Sequence, residues 1–529
     1  LMSQELDYLS RYVVAGRLTR REFLGRATAL GVSATFASSL LAGAARAQGP
    51  VRGGFLRSGL GSGAATDSLD PAAIGSNVPI VFSKCWGELL LEMTPDGGIE
   101  YRIAEEIDSS KDAKTWTMKI RKGVQFHNGK EVTAQDVVAT LERHSDEKSK
   151  SGALGILKSI ESFKVDGGDV VITLKESNAD LPYLMTDYHL IIQPNGGKDD
   201  PAAGISAGPY KVTVNEPGVR HGGEKFKNYW QGDKYGHADQ VEIIVINDPT
   251  ARMAALQGNQ VNMIGQVPPR IVDLVKQVPG VTIQNVSGRG YCSFNIFCDT
   301  APFDNNDLRM ALKLAMDREE MVDKILRGYG TIGNDFPINA SYQLFPEDIE
   351  QRAFDPDKAK FHYQKSGHRG PILLRTSEAG FTGAVDAAQL YAQSCAKAGI
   401  TIKVKREPVE GYDSEVWNKQ PFLTNFWNGR PTQDQIYSTV YLSTAPWNDT
   451  HFRNEKFDKL LIEARAEFDQ DKRKDLYREI AIILRDEGGV IVPMFNQSID
   501  ATGPGVKGFV KDPVFSSMAK ALEQCWLEA

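Results

Sequence analysis

The chain has 529 residues, with 61 Lys plus Arg against 68 Asp plus Glu and a formal net charge of −7. Its 41% hydrophobic and 24% charged residues are ordinary globular usage, which excludes collagen-like, coiled-coil and wholly disordered classes, and the mildly acidic balance leaves no footprint for nucleic acid. A single core stops growing at about 250–300 residues, so at least two lobes are required.

Near the N-terminus the run Thr19-Arg20-Arg21-Glu22-Phe23-Leu24 precedes an uncharged, weakly apolar stretch over 27–45 and then Ala45-Arg46-Ala47. Paired arginines, a diluted apolar run and a small-x-small site are the layout of an export signal, here of the twin-arginine type, with cleavage expected after Ala47. Thr28, Gly31, Ser33, Thr35, Ser38, Ser39 and Gly43 interrupt a run that a spanning helix would need to be about 20 residues and predominantly apolar. No Cys follows the expected cut, so a lipoprotein is not expected. The chain from Gln48 onward carries 55 basic and 65 acidic residues, net −10.

Beyond it, 53–57 reads as a short strand followed by a turn at Gly59, Gly61 and Gly63. The spacing there loosely fits a dinucleotide fingerprint, but Thr66 to Pro71 offers no clean helix start, so a surface turn is expected. Alternation over 115–127 predicts a hairpin strand turning at Asn128-Gly129, and Thr133 caps a helix that follows. A strand pair is predicted over 162–175 around Asp166-Gly167-Gly168-Asp169. Further strands are expected over 210–214 and 240–247, with a helix from Pro249 to Gly258-Asn259. Three- and four-residue apolar spacing predicts a helical segment over 304–326, with Asp317 and Arg318 expected to cap and pair at a helix junction, and Asp355-Pro356 opens the next helix. Strands at 372–376 and 401–406 flank an Ala-rich helix ending at Gly399, a βαβ unit. Helices over 456–485 and a strand at 490–495 complete an α/β alternation. Cys292 and Cys298, six residues apart on a predicted strand, are too far apart to bridge; the odd cysteine count argues against a disulfide framework.

No nucleophile-elbow, zincin, C-x-x-C or Walker pattern occurs, and the eight histidines are scattered. No catalytic residue, metal site or cofactor is expected.

Several segments in order resemble the extracellular solute-binding proteins of the dipeptide, oligopeptide, opine and nickel class that serve ABC importers. They include Leu69-Asp70-Pro71, the run from Arg121 to Gly129 (RKGVQFHNG), Thr133 to Val137, Gly208-Pro209-Tyr210, Pro302-Phe303-Asp304, Ala315 to Glu319, Asp355 to Ala359 and Ala398-Gly399-Ile400. The resemblance covers about 450 residues. It implies a bilobed periplasmic-binding-protein (Venus flytrap) fold with an extra subdomain inserted in lobe one. The implied boundaries are 48–84, 203–288 and 497–529 for lobe one, 85–202 for the insert and 289–496 for lobe two. A periplasmic monomer, exported by the twin-arginine translocase and delivering a small molecule to an inner-membrane permease, is the implied partner set.

In peptide-binding members, the resemblance implies, a loop after an aromatic strand end carries an Asp for the ligand's α-ammonium. The matching stretch here is Trp427-Asn428-Gly429-Arg430, with Asp434 beyond, so an Arg stands in place of the Asp. A guanidinium suits a carboxylate and repels an ammonium. The expected ligand is therefore peptide-like or opine-like and acidic at that end, with Glu378 near the family's carboxylate-binding Arg. Trp427 is expected to stack on the ligand, and Tyr291, Asn295 and Trp86 to stand at the lobe edges. The alternatives to this reading are that Arg430 pairs with Asp434 within the protein, that the protein is an ordinary di- or oligopeptide receptor, or that it is an exported hydrolase on the same fold.

Overall fold

The structure is a computed structural model that describes residues 49–528, apart from 147, 149, 515, 516 and 519, and of the first 48 residues Phe23 alone. The export signal expected over 1–47 lies outside the described residues. Among the described residues no helix is long and apolar enough to cross a membrane.

Eleven strands form one mixed sheet: β1 (Phe55–Leu60), β2 (Tyr210–Glu216), β3 (Arg220–Lys225), β4 (Gln240–Val245), β5 (Met263–Ile264), β6 (Thr282–Ile296), β7 (Gly330–Ile332), β8 (Ile372–Thr376), β9 (Ile402–Arg406), β10 (Phe422–Trp427) and β11 (Val490–Thr502). Their order is β9-β8-β10-β6-β11-β5-β1-β4-β3-β2, with β7 also on β11. The long strands β6 and β11 run antiparallel and hold the two halves together. Ile499 and Ala501 of β11 pack in a core with Val261, Ile264 and Val272. At their other ends Phe294, Ile491 and Met494 join a separate core with Leu308, Leu374 and Tyr391. Both strands thus pass from one hydrophobic core to another. Their pairing shifts register between Ser287 and Tyr291, at Gly288-Arg289-Gly290, where an added Cβ on Gly290 would lie 2.7 Å from the Phe426 ring.

The first lobe's main core joins Leu56 and Val241 to Trp116, Leu141, Ile172 and Leu181, and the C-terminal Met518, Leu522 and Cys525 return to it. A four-stranded antiparallel sheet of Ala104–Ser109, Thr115–Ile120, Ile160–Asp166 and Asp169–Leu174 therefore shares its core with β1 and β4 rather than having one of its own. The second lobe carries a further core on Tyr437, Phe457, Tyr477 and Leu484.

Local signals were accurate where capping decides. Thr133 and Asp136 form a reciprocal capping box on helix Ala134–Ser145, and Asp355 caps Pro356–Lys365. The βαβ unit is present, with β8 and β9 parallel around helix Ala384–Lys397. One element needs correction. The strand expected over 115–127 ends at Ile120, because Gly123 takes a positive φ of 78° and only a lone bridge, Gln125 to Glu131, closes the turn. The helical segment expected over 304–326 is two helices, Asn306–Leu314 and Arg318–Lys324, with the junction at Asp317 and Arg318 as expected. Asp317 caps the second by accepting from the Glu320 N–H, while Arg318 reaches Asp335 at 2.6 Å. All five cysteines are free, and Cys298 lies beyond the end of β6.

Candidate ligand-binding site

A cavity of about 2480 Å³ lies between the lobes, lined from the first by Tyr188 and Gln266 and from the second by Glu378, Arg430 and Asp434. Ordinary small-molecule sites occupy about 300–1,000 Å³, so the space admits a ligand of oligopeptide size. Among the described residues five arginines and three lysines line it against five carboxylates. The wall is thus cationic in a chain of net charge −7.

The loop after β10 supplies the centre of the lobe-two wall. Arg430 is half-buried; its Nη1 donates to the carbonyls of Asn428 (3.2 Å) and Gly429 (3.3 Å), and its own N–H donates to Tyr342 Oη at 3.0 Å. Among the described residues no carboxylate pairs with it. Asp434, weighed as its partner, lines the cavity but is held by Arg465 Nε at 3.0 and 3.1 Å. Burial pushes the Asp434 carboxyl up, and the Arg465 charge works against that. Exposed Glu378 also lines the cavity, where its Oε2 accepts the Gly383 N–H at 2.8 Å ahead of helix Ala384–Lys397. Asn428 and Gly429 line it as well.

The structure places four expected site residues elsewhere. Trp427 and its cross-strand partner Tyr291 are buried in the second lobe's core, while the next pair, Phe426 and Cys292, reach the cavity on the opposite face. Strand side chains alternate faces, so the expected aromatic was off by one residue of parity. Trp427 donates its Nε1–H to Asp449 Oδ2 at 3.0 Å and does not line the cavity. Asn295 has the same parity as Tyr291 and donates to the same Asp449 oxygen at 2.7 Å. Trp86 closes helix Asn77–Trp86, whose other end reaches the cavity through Asn77 and Ile80, and its side chain is fully buried.

Sequence reasoning missed two residues. Trp447, 49% exposed, is the tryptophan that lines the cavity, backed by Trp427 at 6.0 Å and Trp417 at 6.4 Å. Arg289, only 2% exposed, also lines the cavity, at the bulge of β6. Its guanidinium donates to the carbonyls of Ser341 (2.6 Å) and Pro431 (2.8 Å) and lies over the Tyr342 ring at 4.4 Å, with no carboxylate partner among the described residues. The signal was a lone charge between two glycines in a strand pattern, which marks a bulge or close approach.

Arg289 clamps the ligand loop from the crossing strand, and Gly429 makes the approach possible. A Cβ there would lie 2.2 Å from Arg289 Cβ and 3.0 Å from its Cα. Gly429→Ala should therefore cost about 1–3 kcal/mol through forced displacement of the clamp. Urea unfolding checks it; a midpoint equal to wild type would show that the loop is not clamped.

Two lobes joined by a pair of crossing strands and closed over a shared cavity define a bilobed solute-binding protein. The sequence matches bacterial extracellular solute-binding proteins, family 5 Middle, over residues 98–449, and the chain belongs to that family. It is 27% identical over 467 residues to heme-binding protein A of Haemophilus influenzae, covering 78% of this chain and 82% of that protein. The fold is shared with the ABC transporter-associated periplasmic binding protein DppA from Helicobacter pylori in complex with the peptide STSA (TM-score 0.75, 20% identity, 90% of this chain and 99% of that one). It is shared equally with AgaA from A. tumefacien R10 in complex with agropinic acid (TM-score 0.75, 23% identity, 90% and 99%).

Proposed function

We propose that the protein is a periplasmic receptor that captures an extended peptide-like or opine-like molecule bearing a carboxylate, closes its lobes over it, and delivers it to an ABC importer permease. The observation that carries this is Arg430: a guanidinium on the wall of an interlobe cavity, bonded among the described residues only to carbonyls of its own loop. A planar fork of that kind recognises carboxylate in paired geometry and disfavours an ammonium. The size of the cavity and its cationic wall support a long acidic ligand over a bare dipeptide. The ligands named for the peptide- and agropinic-acid-bound relatives are of this kind. The reading includes export on the twin-arginine route, a monomer and no catalysis. It divides the chain into lobe one (48–84, 203–288, 497–529), an insert (85–202) and lobe two (289–496), in keeping with the register break at Gly288–Gly290.

Native mass spectrometry of the purified protein tests it, followed by thermal-shift titration with whatever co-purifies and with its amidated form. The acidic compound should raise the melting temperature and be returned intact, and amidation should abolish the effect. Recovery of a turned-over product, a ligand held equally well after amidation, or a haem absorbance band in the purified protein would each overturn the reading.

A further inference from the structure

Away from the crossing strands, the two lobes meet again through charged groups, of which Asp180 and Arg473 do not line the cavity. Asp180 lies in the first lobe, next to Leu181 of its main core, on a segment tied down by the Asn178 N–H to Ala113 carbonyl bond at 3.1 Å. Arg473 belongs to helix Gln470–Glu487 of the second lobe, whose Tyr477 and Leu484 lie in that lobe's core. Asp180 Oδ2 and Arg473 Nη2 are 2.7 Å apart, with side chains only 3% and 6% exposed.

Arg473 is set in place from its own side, with Nε donating to the Ala464 carbonyl at 2.9 Å and Nη2 to Tyr477 Oη at 3.2 Å. Beside it Arg465 is held by Asp434, and its carbonyl accepts the Ala179 N–H from the first lobe at 2.8 Å. Tyr183 adds a hydrogen bond to Gln343 Oε1 at 2.9 Å, and the Trp116 and Phe468 rings lie 6.2 Å apart across the same seam. Lobe two alone presents two arginines to one carboxylate here; Asp180 brings the fourth charge only when the lobes are together.

We propose that Asp180 and Arg473, with the Ala179–Arg465 bond beside them, form a ligand-independent latch that holds the lobes closed. Every contact in it is protein to protein, so the closed state is populated before any ligand arrives. The latch also contributes to affinity without touching the ligand, because apparent affinity scales with the fraction of molecules in the binding-competent state. A buried ion pair that loses one partner leaves an uncompensated charge, which in this geometry exists only while the lobes are shut. Asp180→Asn therefore acts on closure.

The test needs no ligand. A fluorescence-transfer pair, one dye on each lobe, is read on the full chain stripped of bound molecules by unfolding and refolding. Wild type should give a high-transfer, closed population. Asp180→Asn should raise the open-to-closed ratio about tenfold or more, and the charge-swapped pair Asp180→Arg with Arg473→Asp should recover closure. If the swapped protein does not fold, Tyr183→Phe, which removes only the neighbouring hydrogen bond, should shift the ratio in the same direction by less. Transfer in Asp180→Asn equal to wild type, or a wild type that is open without ligand, would overturn the latch. Either result leaves the carboxylate reading of Arg430 standing, because no ligand enters the measurement.

Discussion

Arg430→Ala should weaken binding of the acidic ligand by about 2–5 kcal/mol, the range for truncating one partner of a charge pair that ligand binding buries. At about 1.4 kcal/mol per tenfold, that is a loss of about 30-fold to several thousand-fold. Arg430 is half-buried, bonded to two carbonyls of its own loop and unpaired with any carboxylate among the described residues. Its removal therefore strands no protein charge, and the loss falls on the ligand. Burial pushes the Tyr188 phenol of the other lobe up to about 12, and the Arg430 charge works against that shift, which puts Arg430 within electrostatic reach across the cavity. Arg430→Asp should go further and favour a ligand with an ammonium at that end. Calorimetric titration with the acidic ligand and its amide decides the matter; an alanine variant with the wild-type dissociation constant would falsify the role.

The sequence carried the architecture because its signals are local or family-wide. Thr133 with Asp136, Asp355 with Pro356, and Gly167 between paired strands are each read within a few residues, and each is in place. His127 stands just before the predicted turn at Asn128-Gly129, and its Nε2 lies 3.0 Å from the Gly208 carbonyl oxygen. The site was legible only as a segment. Arg430 lines the cavity, but whether Phe426 or Trp427 joins it depends on how β10 registers against β6, about 130 residues earlier. A slip of one residue exchanges the faces of the whole strand. Asp434 could not be assigned from its neighbourhood either, because the arginine that neutralises it is 31 residues away on another helix. Arg289 escaped because it holds a loop 142 residues further along the chain, through carbonyls that carry no sequence signature.

The second large effect concerns what stands behind the cavity's aromatic wall. Asp449 is fully buried, and its Oδ2 accepts from Asn295 (2.7 Å), Trp417 (2.9 Å), Asn425 (3.0 Å) and Trp427 (3.0 Å), while its Oδ1 has no partner. Burial pushes this carboxyl up to about 6, and the indole and amide N–H donors only partly offset it. An unfolded Asp titrates near about 3.9. The folded state therefore holds the proton more tightly, and the stability contributed by this group is fully present below about pH 4 and lost as pH rises through about 6. The gap corresponds to about 3 kcal/mol.

Asp449→Asn has no charge to bury, and its amide oxygen can keep the four N–H donors that Oδ2 accepts. Relative to wild type it should gain about 3 kcal/mol between pH 4 and pH 7.5. Asp500, also raised to about 6 by burial, remains in both proteins, so the difference isolates Asp449. Urea unfolding at four pH values in that window measures it, and parallel stability curves for the two proteins would mean that Asp449 keeps its charge in the fold. Trp417 and Trp427, which this carboxyl holds, stand behind Trp447 on the cavity wall.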